Sequence, residues 1–208
     1  MGLLPPSATI KGSVSFHDKP LLSLPDEEYR RIRGKKIGYI FQNPLAALNP
    51  VFTIANQMIE TIQLHHALSK EAARSYAIEL LDKVKIVDPQ KRIDDYPHQF
   101  SIGMCQRIMI AMTLSMKPEL LIADEPTASL DVTTQKEILE LIDELKTEYN
   151  MAMIFISHDL AVVAERCDHV AVMYLGNIVE QGNPSQIFTN PQNEYTNLLI
   201  NAIPKIAF

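Results

Sequence analysis

Three observations predict an α/β fold built on a mainly parallel sheet. Strand-like and helix-like segments alternate along the chain, as in sheets covered by helices. The strand candidates are short apolar runs, as strands buried on both faces must be. Acid or amide side chains stand at the ends of these runs, where open α/β sheets meet their ligands. In order, the candidates are Lys36 to Phe41 (KIGYIF), Leu120 to Ala123 (LLIA), Met151 to Ile156 (MAMIFI) and His169 to Tyr174 (HVAVMY).

Between these runs the apolar period changes from that of a buried strand to that of a helix. Ala73, Tyr76, Ala77, Leu80, Leu81 and Val84 form one stripe at helical spacing, with Ser69 placed to cap it. Ile138, Leu141, Ile142 and Leu145 form another, and Thr134 with Glu137 reads as a capping box at its start. Met109, Met112 and Met116 also follow helical spacing, which makes them core residues rather than a ligand set. Residues 53–116 hold helical segments and no convincing strand, so the chain reads in three parts. These are a partial core at 1–52, a helical subdomain at 53–116 and the remaining core at 117–208. No internal repeat or low-complexity tract interrupts them.

The bulk numbers narrow the class. The chain has 208 residues, 47% of them hydrophobic and 21% charged, which is an ordinary globular balance. A formal charge of −6 argues against a nucleic-acid partner, which would require a basic face to displace counterions. The basic strip Arg30, Arg31, Arg33, Lys35 and Lys36 reads as a solvated turn before a strand. Cys105 and Cys167 are far apart, so neither a disulfide framework nor a zinc site is suggested, and a reducing compartment is expected. No apolar run approaches the roughly 18 residues that span a bilayer, and MGLLPPSAT lacks the regions of a signal peptide. Any membrane role must then come through a partner.

Chemistry concentrates at the strand ends. The run LLIA is followed by Asp124 and Glu125, a carboxylate pair at the mouth of an apolar strand. Asp124 could hold Mg²⁺, a hard ion satisfied by oxygen ligands, and Glu125 could polarise a water. A solvated strand end with capping acids explains the same residues, and the acid pair alone leaves both readings open. Ser157, His158 and Asp159 follow MAMIFI, and the His158 imidazole can donate a hydrogen bond to developing charge. Gln42 ends KIGYIF, and its amide can bind metal or water without adding charge.

Taken in order, Gln42, FSIGMCQR (100–107), LLIADEP, SLD and ISHD resemble the nucleotide-binding subunit of ATP-binding-cassette transporters, over essentially the whole chain. The resemblance implies a P-loop NTPase-like sheet with 53–116 as its signature subdomain, and ATP with Mg²⁺ as cofactors. It makes Gln42 the Q-loop glutamine, facing nucleotide and metal, and places Ser101 and Gly103 in the signature loop. Asp124 becomes the Walker B metal-binding aspartate, Glu125 the catalytic glutamate, Asp131 the D-loop aspartate and His158 the H-loop histidine. FQNPLAALNP (41–50), YPHQFS (96–101) and NEYTNLLINAIP (193–204) are similar to the oligopeptide, dipeptide and nickel importer branch. That branch implies two permease subunits, a second ATPase subunit and an extracytoplasmic solute-binding protein, with this chain peripheral on the cytoplasmic face of the membrane.

The sequence departs from the family pattern in three places. Nowhere in the 208 residues does G-x-x-x-x-G-K-[ST] occur. MGLLPP resembles the segment that follows the phosphate-loop helix, so the loop, its strand and the adenine-stacking aromatic are expected upstream. Leaving out that central strand should expose an apolar edge beside MAMIFI that is prone to self-association. In the signature loop, Ile102 stands where the family has glycine. If that position requires φ > 0 or a close backbone approach, the substitution costs about 1–3 kcal/mol, and Ile102→Gly should raise activity once the loop is restored. Cys105 stands where a basic residue is common, and its thiol is expected to report ATP binding through protection from alkylation. A second reading is therefore a catalytically inactive relic or regulatory partner of such a transporter. A third, a non-transport cassette ATPase acting on nucleic acid, is opposed by the acidic balance and the importer-like runs.

Overall fold

The computed structural model describes residue 5 and residues 7–202. MGLLPP therefore lies almost wholly outside the described residues, as do the last two residues of NEYTNLLINAIP.

A hairpin of β1 (Ser15–Phe16) and β2 (Lys19–Pro20) turns through His17 and Asp18, both at positive φ. Helix α1 (Asp26–Ile32) follows, with Asp26, Glu27 and Glu28 in its first turn and Arg30 and Arg31 in its last. That charge order complements the helix dipole, so the first half of the basic strip is helical rather than a turn. Next come β3 (Ile37–Ile40), α2 (Pro44–Ala47), α3 (Ile54–His65), α4 (Lys70–Lys83), α5 (Pro89–Arg92) and α6 (Ile102–Leu114). The chain continues through β4 (Leu120–Asp124), α7 (Val132–Glu148), β5 (Ala152–Ile156), α8 (Leu160–Arg166) and β6 (Val170–Tyr174). It closes with β7 (Asn177–Gly182), α9 (Pro184–Thr189) and α10 (Glu194–Asn201).

These elements pack as two units, Met1–Ile154 and Phe155–Phe208. The sheet order is β3-β4-β5, and within the first unit β3 runs parallel to β4 with Ile37 opposite Leu120 and Ile40 opposite Ala123. Successive side chains alternate between the two faces. Gly38, Ile40, Leu121 and Ala123 share one face, which meets α6. A Cβ on Gly38 would stand 2.6 Å from Thr113 Cγ2, so the absence of a side chain lets the helix settle on the strand. The buried core continues from Ile40 and Leu121 through Ile54, Met58, Ile62, Leu81, Ile108, Leu114 and Ile138. Met109 and Met116 lie in the same core, and Met112 packs against it. Tyr39, Ile122 and Asp124 occupy the other face and are half-buried.

Helix α4 is capped as its sequence predicts, by Ser69 accepting from the Ala72 amide at 3.2 Å. Helix α7 is not. Its cap is Asp131, which accepts from the Thr134 amide at 3.0 Å, while the Thr134 hydroxyl donates to the same carboxylate at 2.7 Å. The helix thus starts one turn before the expected capping box, because an aspartate three residues ahead of Thr134 satisfies its first amides. Glu137 instead accepts from Arg107 at 2.7 Å.

Among the described residues, strand β5 stands last in its sheet, with Ile154 and Ile156 49% and 44% exposed.

The second unit is built on β6 and β7, which pair antiparallel around Leu175 and Gly176, both at positive φ as a tight hairpin requires. Val163, Val170, Val172 and Ile187 form its small core. The Glu180 carboxylate accepts from the Gln192 and Asn193 amides at 2.7 and 3.1 Å, which ties the approach to α10 onto β7. Among the described residues no helix is long and apolar enough to cross a membrane.

Candidate functional site

The parallel register of β3 and β4 brings the strand-end groups together. Tyr39 lies opposite Ile122, and Asp124, two residues on, shares its face of the sheet. The phenol reaches diagonally across and donates to Asp124 Oδ2 at 2.6 Å. Burial, then this hydrogen bond, then the negative charge of Asp124 push the Tyr39 phenol up to about 12. It is therefore a protonated donor at neutral pH. One residue later Glu125 takes a left-handed φ of 44°, a conformation that costs a non-glycine residue of order 1 kcal/mol or more. Gln42, two residues beyond β3, donates from Nε2 to Glu125 Oε2 at 2.5 Å. The adjacent acids thus have separate keepers, with Tyr39 on Asp124 and Gln42 on Glu125.

Two turns then carry the chain to the next predicted residue. The Ala128 amide donates to the Glu125 carbonyl at 3.2 Å and the Leu130 amide to the Thr127 carbonyl at 3.1 Å, delivering Asp131 to the start of α7. There the structure assembles a second cluster. Ser101 caps α6 by accepting from the Met104 amide at 3.3 Å. A Cβ on Gly103 would stand 2.7 Å from Thr134 Cγ2, so the first turns of α6 and α7 lie in direct contact. Arg107, largely buried, fastens the pair by donating to Glu137 and, at 3.2 Å, to the Val84 carbonyl. Ser101, Gly103 and Asp131 are brought together in this way.

Two sequence expectations are corrected here. Ile102 is the first residue of α6 and is not among the positive-φ positions, so the conformational part of its expected cost does not arise. Its side chain is 43% exposed at the helix start, and bulk at that surface is what remains of the difference from glycine. Cys105 is buried, its Sγ donates to the Pro97 carbonyl at 3.4 Å, and burial pushes its thiol up. A buried, protonated thiol is a poor nucleophile and a poor reporter of ligand. In a Cys167→Ser variant, thiol reagents are expected to spare Cys105 in the folded protein and to modify it fully in denaturant. Ready modification under native conditions would contradict this placement.

Asp131 supplies a pH prediction. The Thr134 amide, then its hydroxyl, hold the Asp131 carboxyl below the usual carboxylate range. A group with a depressed folded-state value contributes stability that is present above its unfolded value, near 3.9, and lost as pH falls through the folded one. Asp131→Asn is therefore expected to flatten the acid limb of the stability curve below about pH 4. Far-UV circular dichroism against pH checks this, and superimposable acid limbs would refute it.

His158 belongs to the second unit. It lies between Ser157, whose hydroxyl accepts from the Asp159 amide at 2.9 Å, and Asp159, which caps α8 through the Ala161 and Val162 amides. Among the described residues no group of three or more His, Cys, Asp or Glu could by itself hold a metal ion. A cation at the end of β4 would therefore take the Asp124 carboxylate, with the Gln42 amide oxygen, and complete its shell from water and phosphate oxygens. That donor set fits Mg²⁺, which keeps several waters and rarely enters an all-protein cage.

Tyr39 and the Arg107–Glu137 pair were not singled out in the sequence. Tyr39 sits inside KIGYIF and looks like any core aromatic. Its spacing from Asp124 acquires meaning only once the two strands are placed in register.

A parallel sheet with carboxylates at a strand end, beside a helical layer whose capped helix starts lie together, is the architecture of a nucleotide-binding cassette. The ABC transporter family model matches residues 1–128, more than half of the chain, and the chain belongs to that family. It is 48% identical over 206 residues to the oligopeptide transport ATP-binding protein OppD of Haemophilus influenzae, covering 99% of this chain and 64% of that protein. It is 49% identical over 208 residues to the dipeptide transport ATP-binding protein DppD of Bacillus subtilis, covering 99% of this chain and 62% of that protein. The chain thus spans about three fifths of the length of these curated relatives. Among solved structures, the ATP-binding cassette MJ0796 dimer bound to ADP and Pi superposes with a TM-score of 0.73 at 27% identity, covering 84% of this chain and 74% of that one. CbiO1 of Clostridium perfringens, part of the CbiONQ transporter complex, superposes with a TM-score of 0.71 at 31% identity, covering 91% and 71% respectively.

Proposed function

We propose that this chain acts as an ATP-hydrolysing subunit that energises import of oligopeptides or dipeptides. The observation that carries the reading is the pair of hydrogen bonds at the β3 and β4 ends, which puts Gln42, Asp124 and Glu125 at one site. The OppD and DppD relatives support peptide as the solute class. Nickel complexes, which the importer branch also allows, have no such support. Bound Mg²⁺ would neutralise phosphate charge at Asp124 and Gln42. Glu125 accepts a proton from, or orients, the attacking water, and Gln42 holds that carboxylate in place until nucleotide arrives. His158, in the second unit, is by the family resemblance a hydrogen-bond donor to developing charge. Ser101, Gly103 and Asp131 form a surface that meets the nucleotide of a second ATPase subunit, the α6 N-terminus supplying amides suited to an anion.

The membrane partners follow from the same reading. An open depression of about 490 Å³ on α3 and the start of α4, lined by Asn56, Ile59, Glu60, Gln63, Leu64 and Lys70, lies in the segment that follows Gln42. Val51 and Phe52 are exposed just ahead of it. We assign this surface to the permease subunits, which would hold the chain on the cytoplasmic face of the membrane. An extracytoplasmic solute-binding protein would deliver the peptide. The helical segment 53–116 acts as the signature subdomain, flanked by core segments 1–52 and 117–208.

Joined to the phosphate-loop segment of an OppD relative and assembled with that relative's permease subunits, the chain is expected to support ATP-dependent peptide uptake into vesicles. Failure to assemble, or uptake indifferent to ATP, would overturn the reading. The exposed Ile102 favours a second one, a partner subunit that binds without turnover. In the same assembly Ile102→Gly separates the two, since a gain in turnover marks Ile102 as the block.

A further inference from the structure

We propose that Tyr39 positions Asp124 for a divalent cation: its phenol holds Oδ2 and leaves Oδ1 to face the ion or an ion-bound water. The inference rests on Asp124 being the cation ligand and assigns a second residue to that same site.

A carboxylate at a half-buried strand end turns freely about its last torsion and offers two equivalent oxygens. Fixing one by a charge-assisted hydrogen bond removes that freedom and fixes the direction of the other. Tyr39 is built to do this. Its Oη lies 2.6 Å from Oδ2, and the parallel register puts both residues on the same face of the sheet. Its backbone carbonyl accepts from the Thr113 hydroxyl at 3.3 Å, which ties the strand to α6 at the same residue. Gly38 and Ile40 on either side are locked into the face beneath that helix, and the ring leans on Phe41 with centroids 4.6 Å apart. The donor thus stands on a strand whose position packing dictates, the arrangement that keeps a ligand aimed. Gln42 is engaged with Glu125, and Asp124 accepts from Tyr39.

The test is Mn²⁺ binding to the 208-residue chain, read by electron paramagnetic resonance, with Mn²⁺ standing in for Mg²⁺. Asp124→Asn should abolish the site. Tyr39→Phe, with an unchanged circular dichroism spectrum, should weaken it about tenfold, the size expected for losing an outer partner of a metal ligand. Phe41→Leu disturbs the ring contact and keeps the hydroxyl, so its affinity should stay within about twofold of the parent. A measurement that requires no variant covers the case in which Tyr39→Phe misfolds. In the chain labelled with ¹³C-tyrosine, Mn²⁺ should broaden the Tyr39 ring signal ahead of those of the other six of the seven tyrosines. Asp124-dependent binding with Tyr39→Phe equal to or tighter than the parent, or uniform broadening of all tyrosines, overturns the role of Tyr39 alone. Absence of Asp124-dependent binding overturns the assignment of Asp124 together with it.

Discussion

Glu125→Gln is expected to slow ATP hydrolysis about 10²- to 10⁴-fold, the range for removing a positioned general base, while nucleotide binding persists. The substitution keeps the side-chain shape and removes the negative charge and the proton-accepting oxygen. It also changes the hydrogen bond with Gln42, whose Nε2 now donates to Glu125 Oε2; an amide oxygen can still accept it. The backbone reason for expecting a large effect is the φ of 44° at Glu125, since strain of this kind persists where the surroundings hold a side chain in a demanded place. The measurement is single-turnover hydrolysis, with nucleotide retention followed separately, in the chain joined to a phosphate-loop segment and assembled with permease subunits. A rate within about threefold of the parent would show that Glu125 neither accepts the proton nor orients the water.

Ile40→Ala is expected to destabilise the first unit by about 2–5 kcal/mol, the range for truncating a large aliphatic side chain in a closed core. Ile40 is fully buried at the end of β3, opposite Ala123 and on the face that meets α6. Collapse around the gap is restricted because α6 already rests on Gly38 at the distance of closest approach. The same residue lies two positions before Gln42, so loosening it should also blur the Gln42–Glu125 contact. Urea unfolding monitored by circular dichroism gives the first quantity. Val87→Ala, at a side chain 74% exposed, is the control and should stay within about 0.5 kcal/mol. Near-equal midpoints for the two variants would mean that β3 is not packed as described.

Much of this architecture is legible in the residues. KIGYIF, LLIA, MAMIFI and HVAVMY became β3, β4, β5 and β6 with edges shifted by about a residue, because apolar runs between polar ends leave a sheet few alternatives. The Ser69 cap and the stripe behind it became α4. Shorter elements escaped for want of periods. Strands β1 and β2 have two residues each, and α8 has seven, barely two turns, too few for a stripe to stand out. The capping box expected at Thr134 and Glu137 does not form, for a different reason. Its residue types were right, but Asp131 competes for the same amides and Arg107, thirty positions away, claims Glu137.

The sequence alone determined part of the inventory: the four apolar runs that became β3 to β6, the acids and amides at their ends, and the order of motifs that marks the family. Those are local properties, set by side-chain type and spacing along one chain. Tertiary structure decided the pairings. Tyr39 with Asp124, Gln42 with Glu125, and Gly103 against Thr134 join residues between 31 and 85 positions apart. It likewise placed Cys105 in the core and gave Ile102 a helical backbone. Such contacts depend on strand register and helix approach, which arise when the whole core packs and which local periodicity does not encode.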